Sequence, residues 1–264
     1  MKDLVTVCFE SETLAPIATA FAHQESLNIL ELEAISTPFT LCYKQDYVEL
    51  IDLQANTAIH VDFVSGALAH RRKYGGGKGQ SIAKAIGIKN YKLPLSILDV
   101  TAGLAKDAFV LACLGCSVTM IERNPIVAEL VNSALKHAEN TEEFQDILQQ
   151  GFNLIQTDAI DYLTKLKLTT KPDVIYPDVI YMDPMYPDRK KSASVKKNMQ
   201  MLQKLIGHNA DKSSDEEELF NLALSKANKR VVVKRPKGAP TLTAKAPTMS
   251  IESKITRYDV YVTP

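Results

Sequence analysis

Ile97-Leu98-Asp99-Val100-Thr101-Ala102-Gly103-Leu104-Ala105-Lys106-Asp107-Ala108-Phe109 decides the fold, together with Val118-Thr119-Met120-Ile121-Glu122-Arg123-Asn124-Pro125 downstream. An apolar strand runs into a turn of small residues. An amphipathic helix, expected over Asp107 to Leu114, follows and stops at Gly115. A second strand, Val118 to Ile121, ends in an acid, Glu122, 23 residues after Asp99. This is a βαβ unit, and in nucleotide-binding sheets an acid at that strand end takes ribose hydroxyls. The turn holds one glycine, Gly103, instead of G-x-G-x-x-G. A pyrophosphate needs close backbone approach at several points, so a dinucleotide is disfavoured. A cofactor with a ribose and no phosphate fits better, and S-adenosylmethionine is one.

Farther along, the apolar run Val179-Ile180-Tyr181-Met182 reads as a buried strand and leads into Asp183-Pro184-Met185-Tyr186-Pro187. An acid, a proline and an aromatic ring at a strand's end can hold a planar amine. The carboxylate and the Pro184 carbonyl can accept hydrogen bonds from an exocyclic NH2; proline fixes φ and so holds that carbonyl in place. The Tyr186 ring can stack on a base. The same residue types suit an ordinary Pro-rich turn; the βαβ unit upstream favours the catalytic reading.

From Ser96 onward the chain alternates strand and helix, with later strands over Phe152 to Gln156, Val179 to Met182, Arg230 to Lys234 and Tyr258 to Val262. The last alternates and can pair antiparallel with a segment near Ser250 to Ile255. The pattern predicts a mostly parallel seven-stranded sheet with helices on both faces. The first part differs: a strand at Thr6 to Phe9, a helix at Leu14 to Phe21 and a hairpin across Gln45-Asp46 show no βαβ rhythm. The expected division is a small N-terminal α/β domain over 1–65, a basic Gly-rich connector and helix over 66–95, and the larger domain over 96–264. The connector helix is expected at Ser81 to Ile86, capped by Gly87. Gly75-Gly76-Gly77-Lys78-Gly79 is not a phosphate loop, since no strand feeds it and the G-x-x-x-x-G-K-[ST] spacing is absent. It is either an open turn that lets basic groups reach phosphate or cofactor, or a flexible linker.

The pentapeptide Pro-Asp-Val-Ile-Tyr occurs twice, from Pro172 and from Pro177. Pro177 lacks an N–H for a central ladder, so the second copy supplies the strand after that proline and the first is an extended lead-in or edge segment.

With 264 residues, 45% hydrophobic and 23% charged, the chain has an ordinary globular composition. No apolar stretch approaches the ~20 residues of a membrane span and the N-terminus has no signal pattern, so a cytoplasmic protein is expected. Cys113 and Cys116 form a C-x-x-C without a second pair or a nearby histidine, which reads as structural thiols; no metal is expected. Net charge is zero, yet basic residues cluster at Arg71-Arg72-Lys73 with Lys78, at Arg189-Lys190-Lys191 with Lys196-Lys197, and at Lys229-Arg230 with Lys234-Arg235 and Lys237. Each run alone reads as a solvated face. Clusters at the ligand-binding ends of strands favour a polyanionic substrate, RNA or DNA.

The chain resembles the RsmJ family of bacterial 16S ribosomal RNA guanine-N2 methyltransferases, which have the class I, Rossmann-like methyltransferase fold. The resemblance runs from about Val61. It rests on Val61-Asp62-Phe63-Val64, His70-Arg71-Arg72-Lys73-Tyr74-Gly75-Gly76-Gly77, Asp99 to Phe109 and Glu122-Arg123-Asn124-Pro125. It continues through Asp183-Pro184-Met185-Tyr186-Pro187, Lys191-Ser192-Ala193 and Arg230 to Pro236. Met185, in place of a second proline, is a mark of that family. The resemblance implies S-adenosylmethionine contacts at Lys106, Asp107, Glu122, Arg123, Asp158, Ala159 and Asp183. With it come the adenine amine for Asp158, and the methionine end for Asp99 and the turn from Thr101 to Gly103. It also implies a 16S ribosomal RNA or small-subunit partner, gripped by Arg71, Arg72, Lys73, Lys78, Arg189, Lys190 and Lys191, with Asp183, Pro184 and Tyr186 catalytic. Two departures stand out: Ala105-Lys106 replaces the family's Gly-Arg, which is expected to alter the turn because alanine resists positive φ, and the tandem pentapeptide looks inserted. Rival readings are an amino-methyltransferase of adenine or cytosine in DNA or RNA, a non-catalytic RNA-binding assembly factor, and a nicotinamide dehydrogenase.

Overall fold

The computed structural model describes residues 1–31, 37–65, 77–90, 94–166, 176–184, 195–206 and 212–264. In chain order the elements are β1 (Val5–Phe9), α1 (Ala15–Gln24), β2 (Asn28–Ile29), β3 (Phe39–Tyr43), β4 (Val48–Asp52), β5 (Thr57–His60), α2 (Ser81–Ile86), β6 (Ser96–Asp99), α3 (Lys106–Cys113), β7 (Ser117–Glu122) and α4 (Pro125–Glu139). Then come α5 (Gln145–Gly151), β8 (Phe152–Gln156), α6 (Ala159–Lys165), β9 (Val179–Met182), α7 (Val195–Ile206), α8 (Lys212–Lys226), β10 (Arg230–Pro236), β11 (Met249–Glu252) and β12 (Thr256–Val262). Contacts divide the chain into two compact units.

One unit gathers 1–63, 124–141 and 189–209. Its sheet runs β2-β1-β3-β4-β5, with β1 parallel to both β2 and β3, and β4 antiparallel to β3 and β5. The expected hairpin is β3–β4. The expected lack of βαβ rhythm is corrected: α1 carries the chain from β1 to a parallel β2. That strand is two residues long, too short to leave an alternation in the sequence. Helix α4 starts at Pro125, and the Asn124 side chain caps it by accepting from the Ile126 and Val127 N–H groups. Its inner face is tied to the sheet by Tyr43 O–H donating to Glu129 Oε1 at 3.0 Å and Val48 N–H to Ser133 Oγ at 2.9 Å.

The other unit gathers 64–123, 142–188 and 210–264. Its seven-stranded sheet has the order β11-β12-β10-β9-β6-β7-β8. Strands β10, β9, β6, β7 and β8 are parallel, and β12 is antiparallel to both β10 and β11. Pro177 stays outside β9, as its missing donor requires; the first pentapeptide copy, apart from Tyr176, lies outside the described residues. Alternation sends Leu98, Ile121, Ile180, Met182, Val231, Val233 and Tyr261 into one apolar layer with Leu163 of α6 and Phe220 and Ala223 of α8. Phe220 meets Tyr261 edge-on, centroids 4.7 Å apart. Each fully buried large side chain here contributes about 1.5–3 kcal/mol. The Phe109, Phe144 and Phe152 rings cluster with centroids about 6 Å apart. Gly87 caps α2 at φ +75°, and a Cβ there would come within 2.7 Å of the buried Arg230 guanidinium. No helix among the described residues is long and apolar enough to cross a membrane.

Candidate active site

The site lies at the carboxyl ends of β6, β7, β8, β9 and β10. In a parallel sheet these ends share one edge, so residues far apart in sequence meet there. One turn ties three of them together. Thr101 N–H donates to Asp99 Oδ1 at 3.0 Å, Asp183 N–H donates to Thr101 Oγ1 at 2.6 Å, and Gly103 N–H donates to Glu122 Oε2 at 2.9 Å. The expected alteration of the turn at Ala105 takes a definite form: Ala105 itself adopts the left-handed conformation, φ +57°, while fully buried. Its carbonyl still accepts from Phe109 N–H at 2.9 Å and its N–H donates to Ala102 at 2.8 Å. The turn keeps a glycine-like geometry and bears the strain, about 1–2 kcal/mol for a residue with a Cβ.

Beside the turn sits a charged cluster. Lys234 Nζ lies 2.7 Å from Asp107 Oδ2 and 2.7 Å from Asp183 Oδ2, and Tyr181 O–H donates to Asp107 Oδ2 at 2.7 Å. Asp99, 2% exposed, completes it. Burial is the main cause pushing the Asp99 carboxyl up to about 8; the Thr101 N–H opposes this, and the negative fields of Asp107 and Asp183 add to it. Desolvation also raises Asp183, against the pull of Lys234. Lys234 itself is raised, because its two carboxylates outweigh the cost of its burial. At the end of β8, Asp158 caps α6 by accepting from Ile160 and Asp161 N–H groups, and its other oxygen faces Arg123 Nη1 at 3.8 Å. Ala159 is buried as the first residue of α6, and Lys106 is exposed at the start of α3.

A model of the SAM-dependent methyltransferase family matches residues 24–263. The ribosomal RNA small subunit methyltransferase J of Aeromonas salmonicida is 47% identical over 85% of this chain and 86% of its own length. Its namesake in Coxiella burnetii is 43% identical over 99% and 98%. The chain belongs to the ribosomal RNA small subunit methyltransferase J family. The solved SAM-dependent methyltransferase NGO1261 of Neisseria gonorrhoeae superposes with a TM-score of 0.71 at 32% identity, covering 97% of this chain and 95% of that one.

For a methyltransferase of this family the residues fit S-adenosylmethionine. Carboxylates stand at the ends of β7 and β8, where hydroxyl and amine groups of a nucleoside need acceptors. Beside Gly103 an added Cβ would meet nothing nearer than the Thr101 carbonyl at 4.0 Å, so the turn leaves room. Among the expected site residues, the structure brings together Asp99, Thr101, Gly103, Asp107, Glu122 and Asp183, and puts Arg123 with Asp158. Pro184, directly after Asp183, is buried. Tyr186, Arg71, Arg72, Lys73, Arg189, Lys190 and Lys191 lie outside the described residues. Lys78 is exposed in a 3-10 turn, Gly77–Gly79.

The basic cluster from Lys229 to Lys237 is corrected. Arg230 and Arg235 are each 5% exposed, Lys229 pairs with Asp178, and Lys234 is spent on Asp107 and Asp183. A strand through the middle of a sheet cannot present such a run to solvent. Sequence reasoning missed Lys234 and Tyr181 as site residues. The signal was a cation directly after Val231-Val232-Val233, at the end of a strand too apolar to be a surface. The four cysteines are free; burial pushes the Cys116 thiol up to about 12. Among the described residues no group of three or more His, Cys, Asp or Glu side chains is placed to hold a metal ion.

Proposed function

We propose that the protein transfers a methyl group from S-adenosylmethionine to the exocyclic N2 of a guanine in 16S ribosomal RNA, free or in the small-subunit particle, in the cytoplasm. The observation that carries this reading is Asp183 at the end of β9, its N–H held by Thr101 and its carboxylate by Lys234, in a chain of the ribosomal RNA small subunit methyltransferase J family. The segment 96–264 performs the transfer, after a small N-terminal α/β domain over 1–65, and the basic connector over 66–95 adds to the grip on RNA.

Bound S-adenosylmethionine supplies an electrophilic methyl group on a sulfonium. Glu122 takes its ribose hydroxyls and Asp158, beside Arg123 and Ala159, its adenine amine. Thr101, Gly103, Lys106 and Asp107 line the methionine end, with Asp99 shaping the turn from within. Tyr186 receives the guanine swung out of its stack. Asp183 and the Pro184 carbonyl accept the N2 hydrogens and aim the lone pair. Guanine N2 is a weak nucleophile because that lone pair is delocalised into the ring, so placement and a nearby carboxylate do most of the work. With the methyl passed to N2, Asp183 would stabilise the positive charge arising there and take the proton that N2 sheds. Arg71, Arg72, Lys73, Lys78, Arg189, Lys190 and Lys191 hold phosphates.

Mass spectrometry of ribosomal RNA nucleosides from a strain lacking the gene tests this reading. It expects one N2-methylguanosine to vanish from 16S RNA and to return with the parent gene but not with Asp183→Ala. An unchanged nucleoside profile would sink it.

A further inference from the structure

Lys234 stands on β10, whose Val232 and Val233 pair with Tyr181 and Met182 of β9, so the continuing ladder brings it level with Asp183. Its ammonium is the shared partner of Asp183 and of Asp107, a residue of α3, 2.7 Å from each. The Tyr181 hydroxyl donates to the same Asp107 oxygen, Oδ2, at 2.7 Å. The side chain is 26% exposed and its stem crosses the same sheet face as Tyr181 and Tyr258. A lysine spent on two internal carboxylates is unavailable to RNA phosphate, and its position leaves Asp183 one fixed direction. From this geometry we infer that Lys234 is a positioning residue for methyl transfer: it locks the Asp183 carboxylate in place and keeps it ionised so that it can accept from the substrate amine. The inference rests on the functional reading above and gives Lys234 a role in the transfer that the reading leaves unassigned.

The charged groups around Asp183 make the role specific. Asp107 from α3 and Asp99 from β6 are both acids; Lys234 and Arg235 of β10 are the cations, and Tyr181 of β9 and Tyr258 of β12 are the neighbouring phenols. Without Lys234, Asp183 would lose the cation 2.7 Å away and keep Asp107 as a neighbouring acid, which drives its carboxyl up. A protonated Asp183 loses an acceptor and the capacity to take up the proton that N2 sheds. An opposite charge at contact distance shifts a carboxyl by about 1–3 pH units, which sets the size of the effect.

The test measures the Asp183 carboxyl by carbon-13 NMR, assigned with Asp183→Asn, beside single-turnover methyl transfer as a function of pH. In Lys234→Met the Asp183 titration and the acid limb of the rate profile should both move up by about 1–3 pH units, with much of the lost rate recovered on raising the pH. Lys234→Arg keeps the cation, so its titration should stay at the parent position while its rate falls through the altered contacts; if Lys234→Met does not fold, this variant carries the test. A merely structural lysine would lower the rate equally at all pH values. An Asp183 titration unmoved in Lys234→Met, or raised in Lys234→Arg, overturns the inference whatever the RNA target. A parent protein that titrates as expected yet transfers no methyl to RNA overturns the functional reading instead.

Discussion

Asp99→Asn should change how stability depends on pH. Asp99 is 2% exposed, at the end of β6, and burial with the fields of Asp107 and Asp183 brings its carboxyl to about 8 from the ordinary value of 3.8. Between those values the folded protein holds a proton that the unfolded chain has lost. Stability therefore falls as pH rises, by about 1.4 kcal/mol per pH unit while the folded-state proton stays on, and the loss levels off above pH 8. From pH 6 to pH 8 this group alone removes about 2 kcal/mol. Asparagine has the shape of the protonated acid and keeps an oxygen for the Thr101 N–H, 3.0 Å away in the parent, but it does not ionise. Urea unfolding of parent and variant at pH 6, 7 and 8 measures the difference. The variant should gain on the parent across this range by about 2 kcal/mol, with other titrating groups cancelling in the comparison. Parallel stability curves would refute the assignment of a neutral, buried Asp99.

Glu122→Gln should weaken S-adenosylmethionine binding by about 1–3 kcal/mol, the value of hydrogen bonds to a charged group, while Gly103 N–H keeps an acceptor; calorimetry reads it, and unchanged affinity would remove Glu122 from the cofactor site. Ala105→Val should unfold the protein at lower urea, by more than the ~1–2 kcal/mol a Cβ already costs in the left-handed region, since a β-branched residue adds a second clash in a buried turn. Gly87→Ala should lose at least ~1–2 kcal/mol, because its φ is +75° and its Cβ would press on an Arg230 guanidinium that is buried and donates to the Ala85 carbonyl; a melting curve matching the parent would contradict this. Charge reversal at Arg71, Arg72 and Lys73 should weaken RNA binding and flatten its salt dependence, leaving S-adenosylmethionine affinity unchanged.

Much of the larger sheet was legible because its strands are apolar runs with breaks at Gly115, Pro177 and Gly87, and because a parallel sheet buried on both faces writes itself as such runs. The acid at the end of β7 and Asp183 at the end of β9 were legible for the same reason: a strand's end is a local signal. Strand β2 was not, since two residues carry no period. The strain at Ala105 was half legible. The sequence placed an alanine where its resemblance calls for glycine, and only the structure showed that the backbone keeps φ +57° and leaves the residue strained.

By itself the sequence determined the βαβ unit, the order of strands and helices from Ser96 onward, and the candidates Glu122 and Asp183, all through periodicity and residue chemistry over short spans; Asp158 came with the family resemblance. Tertiary structure decided which charges face one another. Lys234 read as one more member of a basic run until β10 was placed beside β9, where its ammonium meets Asp183 and, at the start of α3, Asp107. Arg230 and Arg235, from the same run, turned inward. The reason is that charge in a sequence has a sign but no direction. Burial and partnership are set by strand order, and strand order in this sheet joins residues as far apart as Asp107 and Lys234, which no local pattern connects.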